Sequence, residues 1–214
     1  MMMVDVKAEL CRLGREMLAR NLTTGSGGNL SVYDRRQDRV YITPSGLAYM
    51  ALTADDIVVC DGRGAVVEGA RRPSSELGFH LALYHHREDI GAVVHTHSVF
   101  ATTLACMHRE IPPVHYLVGF AGPKVPLAPY ATFGTPALAR AITDTIGASN
   151  AILLANHGLV AIGANLSAAF DVAEEIELVA RIYYQTLVAG EPRLLSESQM
   201  TEVLEKFKGY GQKT

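Results

Sequence analysis

The feature that most constrains this chain is an apolar segment that ends in two histidines one residue apart. Ala92-Val93-Val94 leads directly into His95-Thr96-His97, a pattern typical of a buried strand that ends at a surface or cleft. Side chains alternate between the faces of a strand, so His95 and His97 point to the same side, roughly 6.6 Å apart along the backbone. Two imidazoles at that separation can bind one metal ion, although a pair of ordinary strand-end histidines would give the same short motif.

A second apolar segment repeats this arrangement. Residues 151–155 predict another buried strand, and Asn156-His157-Gly158 follows it, where glycine permits a bend. His157 is therefore the natural third ligand. Three neutral imidazoles with one open position describe a catalytic zinc site, whereas structural zinc sites usually have four protein ligands, commonly including cysteine. The three cysteines of this chain are badly placed for that second arrangement.

Three further segments are rich in glycine or in hydroxyl side chains. Gly25-Ser26-Gly27-Gly28-Asn29 can expose backbone N–H groups to an anion, and Thr43-Pro44-Ser45-Gly46 closes a predicted strand. Residues 71–76 lead into an apolar-periodic helix for which the serines are good N-caps, so Glu76 is predicted in the first turn. The simpler explanations are a plain turn and an acid favoured by the helix dipole. The alternative is a carboxylate at the mouth of a site, beside hydroxyls and helix N–H groups that favour phosphate.

The remaining pattern predicts a mixture of strands and helices in one domain. With 214 residues and 49% hydrophobic content, the chain can build one sizeable core. We expect a single domain over residues 1–214, with a mobile C-terminal tail from about residue 207. Polarity patterns predict hairpins at 29–43 and 57–68, and helices at 6–17, 77–84, 99–106, 135–147, 166–188 and 200–207.

Composition and charge exclude several classes of partner. The formal net charge is −3, with 19 basic and 22 acidic residues, and the basic residues are scattered, so we expect no nucleic-acid partner. No apolar run is long enough to span a bilayer, and the N-terminus has no signal core, so we expect no membrane association. Three widely spaced cysteines suggest a reducing compartment, and we expect a soluble, cytoplasmic protein.

Together, these motifs resemble those of the class II aldolase/adducin family. The five segments appear in the order and spacing seen there: 25–29, 43–46, 73–76, 95–97 and 156–159. The resemblance covers nearly the whole chain. Residues 129–135 and 203–211 are similar to the branch of the family that cleaves L-fuculose 1-phosphate.

The resemblance implies a fold, an assembly and a set of site residues. The fold is a three-layer α/β/α domain around a mainly antiparallel central sheet, assembled as a cyclic homotetramer with active sites between neighbouring subunits. One zinc ion per subunit, or another divalent ion, is bound by His95, His97 and His157, with Glu76 as a further ligand and as the catalytic acid/base. The substrate phosphate lies among Ser26, Gly28, Asn29, Thr43, Gly46, Ser74 and Ser75.

Two tyrosines and two departures from the family's pattern complete the comparison. Tyr116 and Tyr210 match positions that reach into a neighbour's site, and Tyr116 is expected to donate a proton to the aldehyde. Asn156 stands where related aldolases often carry a second histidine, and Ser26 stands where threonine is common. Neither departure removes a ligand, but both leave the sugar specificity open.

The activity implied by the resemblance is retro-aldol cleavage of a ketose 1-phosphate, L-fuculose 1-phosphate or a related deoxyketose phosphate. The products are dihydroxyacetone phosphate and an aldehyde such as L-lactaldehyde. Cleavage leaves an enediolate whose charge a divalent ion stabilises as a Lewis acid, and Glu76 can transfer the proton. A lysine-based aldolase is the nearest chemical competitor, but Lys124 has no visible activating partner.

Other activities occur on the same scaffold. A 4-epimerase of pentulose 5-phosphates, a sugar-acid phosphate decarboxylase and a dehydratase use the same kind of metal site, and the fold alone does not choose among them. A non-catalytic, adducin-like assembly protein is the alternative from another class. It predicts lost metal ligands, whereas the three histidines and Glu76 are all present.

Overall fold

The computed structural model describes residues 5–209. Within that range the strands are β1 (Asn29–Asp34), β2 (Arg39–Ile42), β3 (Val58–Cys60), β4 (Val66–Glu68), β5 (Ala92–Thr96), β6 (Leu127–Ala128), β7 (Ala151–Leu154) and β8 (Gly158–Gly163). The α-helices are α1 (Val6–Ala19), α2 (Leu77–His86), α3 (Val99–Cys106), α4 (Pro136–Ile146), α5 (Leu166–Ala189) and α6 (Glu197–Phe207). Short 3₁₀ helices span Tyr49–Ala51, Ala54–Asp56 and Tyr116–Phe120.

The strands of residues 5–209 form one mixed sheet in the order β4-β3-β2-β1-β5-β8-β7-β6. All the neighbouring pairs in that order are antiparallel except β6 and β7, which are parallel. The chain leaves β6, forms α4 and returns as β7, and a crossover of this kind makes the two strands parallel. The prediction of a mainly antiparallel sheet therefore needs a correction: the sheet is mixed, although most of its pairings are antiparallel.

Helices cover both faces of this sheet. Alternate residues of β5, β7 and β8 contribute to two separate apolar clusters, as expected for strands that are buried on both sides. One cluster includes residues of α1, α3, α5 and α6, and the other includes residues of α2 and α4. The predicted three-layer α/β/α arrangement is confirmed for the described part of the chain.

The predicted elements are present, but the position of Glu76 relative to α2 and the start of α6 differ from the prediction. The helix α2 begins at Leu77, so Glu76 occupies the N-cap position rather than the first turn. The Ser74 hydroxyl accepts the backbone N–H of Glu76 and thus stabilises the turn before the helix instead of capping it. The helix α6 begins three residues earlier than predicted because Ser196 and Gln199 form a capping box.

Two predictions concern the ends of the chain and its environment. The predicted tail from about residue 207 lies largely outside the described residues, and so does Tyr210. No helix within residues 5–209 combines the length and the apolar character that crossing a membrane requires.

Candidate metal centre and substrate cavity

The structure brings the three predicted histidines together at one edge of the sheet. His95 lies in β5, His97 follows that strand, and His157 lies in the bend between β7 and β8. Because β5 pairs with β8, the two strand ends meet. The candidate ligand atoms of the three side chains lie within 4.8 Å of one another.

The hydrogen bonds of His95 leave one of its ring nitrogens available as a ligand. His95 is fully buried, and its Nδ1 lies 2.9 Å from the carbonyl oxygen of Leu159. A carbonyl oxygen only accepts, so Nδ1 carries the proton and Nε2 has a lone pair. That Nε2 faces the Nε2 of His97 at 3.0 Å. A backbone acceptor that fixes the tautomer of an imidazole in this way is a usual feature of histidine metal ligands.

The surroundings keep all three imidazoles neutral at neutral pH. Burial lowers the pKa of His95 well below its ordinary value of 6.5, and the nearby His157 and His97 lower it further. Burial also lowers the pKa of His97, and His157 adds to that effect. The pKa of His157 is lowered by burial, while the charge of Glu76 opposes the shift. Neutral imidazole is the form that binds a metal ion.

Glu76 approaches the histidines from α2. Its side chain is nearly buried; Oε2 lies 3.3 Å from Nε2 of His95, and Oε1 lies 3.4 Å from Nε2 of His157. Asn29 donates a hydrogen bond from Nδ2 to Oε2 at 2.9 Å. The other oxygen, Oε1, is buried and has no hydrogen-bond partner among the described residues. A buried carboxylate oxygen without a donor is costly, and a cation between it and the imidazoles would remove that cost.

The donor set therefore fits a divalent transition-metal ion. Three neutral imidazoles and a nearby carboxylate are ligands that zinc accepts, and catalytic zinc sites have three protein ligands and one open position. The histidines form the ligand cluster itself, and Glu76 lies at its border.

A cavity of about 340 Å³ opens beside this cluster. Most of the residues predicted to hold phosphate line it, namely Ser26, Gly28, Asn29, Gly46, Ser74 and Ser75. Glu76, His97 and His157 line the same cavity. Thr43 does not; it is buried, and its hydroxyl accepts the backbone N–H of Leu30 at 3.2 Å. Thr43 thus ties the second loop to β1 and does not face the cavity.

The loop at residues 25–29 depends on one glycine for its approach to β5. Gly28 has a φ of +69°, in the left-handed region, and an added Cβ would overlap the carbonyl oxygen of His95. Only glycine combines this conformation with so close an approach. The loop is thereby held against β5, which carries His95 and leads directly into His97.

The structure does not bring Tyr116 into the cavity of its own chain. Tyr116 begins the 3₁₀ helix Tyr116–Phe120, and its side chain is 50% exposed. Its ring contacts those of His115 and Phe207. A role for Tyr116 in a neighbouring subunit stays a prediction, and Tyr210 lies outside the described residues.

Sequence reasoning missed several residues around the site. Phe133 lines the cavity and is 63% exposed, and Ser45 also lines it. His80 lies behind Asn29, fully buried, with Nε2 2.5 Å from the amide oxygen of Asn29. Glu76 and His80 are four residues apart at the start of the predicted helix, and residues at that spacing share a helix face. This spacing is the sequence signal that could have placed His80 near Glu76.

Comparisons with known proteins agree with this geometry. The family described as Class II Aldolase and Adducin N-terminal domain matches residues 8–184. A 5-deoxy-D-ribulose 1-phosphate aldolase of Bacillus thuringiensis is 50% identical over 212 residues, covering 99% of this chain and 100% of that protein. The L-fuculose phosphate aldolase of Escherichia coli K12 is 43% identical over 210 residues, covering 97% and 93%. A solved L-fuculose 1-phosphate aldolase superposes with a TM-score of 0.94 at 45% identity, covering 97% of this chain and 98% of the other.

The chain therefore belongs to the class II aldolase and adducin family. The predicted similarity to L-fuculose-1-phosphate aldolase is confirmed. Within the family the chain is an enzyme, a class II aldolase and hence a carbon–carbon lyase, as predicted. The non-catalytic alternative is not supported.

Proposed function

We propose that this chain is a zinc-dependent aldolase that cleaves a deoxyketose 1-phosphate into dihydroxyacetone phosphate and a short aldehyde. One observation carries the proposal: a single cavity, lined by hydroxyl-rich and glycine-rich loops and by a buried carboxylate, opens beside a cluster of three neutral imidazoles. The relatives named as 5-deoxyribulose 1-phosphate and L-fuculose phosphate aldolases support this substrate class. The aldehyde would be acetaldehyde from the first ketose and L-lactaldehyde from the second.

The phosphate group is held by neutral donors. The described lining of the cavity contains no lysine or arginine, and it offers the hydroxyls of Ser26, Ser74 and Ser75 with backbone N–H groups of the loop at 25–29. Turns of this kind form anion-binding concavities. The two serines at 74 and 75 also precede α2, whose N-terminus favours negative charge. The phosphate end of the ketose is thereby fixed on one side of the cavity.

His95, His97 and His157 would hold the zinc ion, which when bound supplies Lewis-acid stabilisation of the negative charge left by cleavage. The protein's own contribution to proton transfer comes from Glu76. Retro-aldol cleavage removes a proton from the C4 hydroxyl and adds one at C3, and the carboxylate of Glu76, which lines the cavity, is the group proposed for such a transfer.

Tyr116 and Tyr210 are proposed to serve a neighbouring copy of the chain. Tyr116 is half exposed and lies outside the cavity of its own chain, so it is available to a second subunit. In a cyclic homotetramer each site would receive the Tyr116 hydroxyl from its neighbour, as the proton donor to the aldehyde oxygen in aldol addition, the reverse of cleavage. Tyr210, three residues beyond α6, is assigned to the same neighbouring site.

A substrate panel tests the proposal. Zinc-loaded protein is given 5-deoxyribulose 1-phosphate, L-fuculose 1-phosphate, L-rhamnulose 1-phosphate and L-ribulose 5-phosphate, and dihydroxyacetone phosphate is detected with a coupled reductase. We expect release from at least one ketose 1-phosphate, loss of that release with a chelator, and its return with zinc. Epimerised pentulose phosphate without triose phosphate would overturn the assignment in favour of an epimerase.

A further inference from the structure

A series of buried polar side chains runs from α2 through β1 to Glu76, behind the wall of the cavity. We call it the buried polar chain; its members are Tyr84, Ser31, His80, Asn29 and Glu76. The distances are 2.7 Å from the Tyr84 hydroxyl to Ser31 Oγ and 2.6 Å from Ser31 Oγ to His80 Nδ1. They are 2.5 Å from His80 Nε2 to Asn29 Oδ1 and 2.9 Å from Asn29 Nδ2 to Glu76 Oε2. All five side chains are buried.

The chemistry of these groups fixes the direction of every hydrogen bond. An ionised carboxylate only accepts, so the Asn29 amide must turn its nitrogen toward Glu76 and its oxygen toward His80. His80 therefore donates from Nε2 and accepts at Nδ1. Ser31 gives its one proton to that Nδ1, and the Tyr84 hydroxyl donates to Ser31.

His80 has the charge state that this arrangement requires. Burial lowers the pKa of His80 from 6.5 to about 3, so its ring is neutral at neutral pH and carries a single N–H. The opposite orientation of the Asn29 amide would place two oxygen acceptors against each other at Glu76. Unsatisfied buried polar groups are costly, and only one tautomer of His80 satisfies the whole chain.

We propose that His80 is a positioning residue: as the Nε2–H tautomer it locks the Asn29 amide, which holds Oε2 of Glu76 and so fixes the carboxylate for proton transfer. The inference rests on the proposed function, since it gives Glu76 a role in proton transfer. His80 itself lies outside the cavity lining and is linked to Glu76 through Asn29.

The tautomer is measured directly by NMR on protein labelled with ¹⁵N in the histidine rings. Long-range ¹H–¹⁵N spectra at pH 7 should show His80 protonated at Nε2 and unprotonated at Nδ1, with the signal assigned through its loss in His80→Gln. A proton on Nδ1, or a doubly protonated ring, overturns the inference. This readout does not depend on catalysis, so it separates failure of this inference from failure of the proposed function.

A matched pair of variants tests the consequence for the reaction. In His80→Gln the side-chain amide nitrogen can take the place of Nε2 and still donate to Asn29. In His80→Asn the shorter side chain reaches only the position of Nδ1, so the donor to Asn29 is lost. We expect His80→Asn to lower kcat by about 10–100-fold, the scale seen when the partners of site residues are removed, with KM and zinc content unchanged. His80→Gln should keep kcat near that of the wild type.

The same pair separates positioning from simple structural support. If both variants lose Tm and activity in parallel, or if His80→Asn keeps wild-type kcat, the inference is wrong. In an Asn29→Ala background, His80→Asn should cause no further loss of kcat, because the group through which it acts is absent. If the kcat losses of the two substitutions multiply instead, His80 acts on the reaction by a route other than Asn29, and the inference is overturned. A wild-type protein that cleaves no ketose phosphate defeats the proposed function instead, whatever tautomer His80 has.

Discussion

Replacing Gly158 with alanine tests whether the close packing of β8 against β5 holds the three imidazoles in place. Gly158 begins β8 directly after His157, and an added Cβ would overlap the carbonyl oxygen of Thr96 in β5. The same Cβ would lie 3.1 Å from Cδ2 of His97 and 3.3 Å from Cε1 of His95. Every one of these contacts is with the segment that carries two of the proposed ligands.

The size of the effect follows from that geometry. Rotation of a side chain cannot relieve overlap with a backbone oxygen, so β8 must move from β5 by roughly 1 Å to reach ordinary contact. Overpacking of this kind costs about 1–3 kcal/mol of unfolding free energy. For a chain of this length, each kcal/mol lowers Tm by about 2–4 °C. Because the ligands separate, we also expect zinc affinity to fall by about 10–100-fold.

The assay compares chelator-treated wild type and Gly158→Ala by zinc titration against a chromophoric chelator, and by calorimetric Tm with and without zinc. Gly78→Ala is the matched control, because Gly78 lies on α2 and an added Cβ would meet no atom within 4 Å beyond its chain neighbours and the backbone of its own helix. Alanine there should leave the helix at least as stable, because alanine is the better helix former, and should leave zinc affinity unchanged. Wild-type zinc affinity in Gly158→Ala would refute the argument that the approach of β8 to β5 sets the ligand geometry.

Four further predictions concern individual groups of the site. Glu76→Gln should keep stoichiometric zinc but lower turnover by about 10²-fold or more; near-normal kcat would remove Glu76 from its role. Ser75→Ala should raise KM for the ketose phosphate by about 10–100-fold, the loss of a hydrogen bond to a charged group, and an unchanged KM would place the phosphate elsewhere. Chelation should lower Tm as well as activity, because an ion that binds only the folded state stabilises it; an unchanged Tm would contradict the metal site. Folding lowers the pKa of His80 from 6.5 to about 3, so the stability contributed by its neutral ring is present above about pH 6.5 and is lost as the pH falls toward 3. In urea unfolding, the free energy of unfolding should therefore fall more steeply with decreasing pH for wild type than for His80→Gln, by about 1.4 kcal/mol per pH unit. Parallel curves for the two proteins would contradict the shift.

Much of the local structure follows from residue patterns alone. Alternating polarity at 29–43 predicts the hairpin of β1 and β2, and the apolar runs before His95 and His157 predict β5 and β7. The period of two along a strand also predicts that His95 and His97 share a side, and their Nε2 atoms lie 3.0 Å apart. These features depend on residues that are close together in the sequence, so the pattern of one sequence is enough to predict them.

What the sequence could not provide depends on long-range packing. The parallel strand β6 is only two residues long, between Pro126 and Pro129, and its pairing with β7 exists because α4 crosses over between them. Thr43 belongs to a hydroxyl-rich loop, but a hydrogen bond to Leu30 turns its side chain away from the cavity. The buried position of His80 likewise arises only once α2 packs on β1.

The order of the strands also bears on when the protein can acquire its metal. His95 and His97 precede His157 by some sixty positions in the sequence, and β8 must first enter the sheet between β5 and β7. A chain emerging from the ribosome therefore offers two imidazoles long before it offers the third. Because two ligands would bind the proposed zinc ion far more weakly than three, tight metal uptake would wait until β8 lies between β5 and β7.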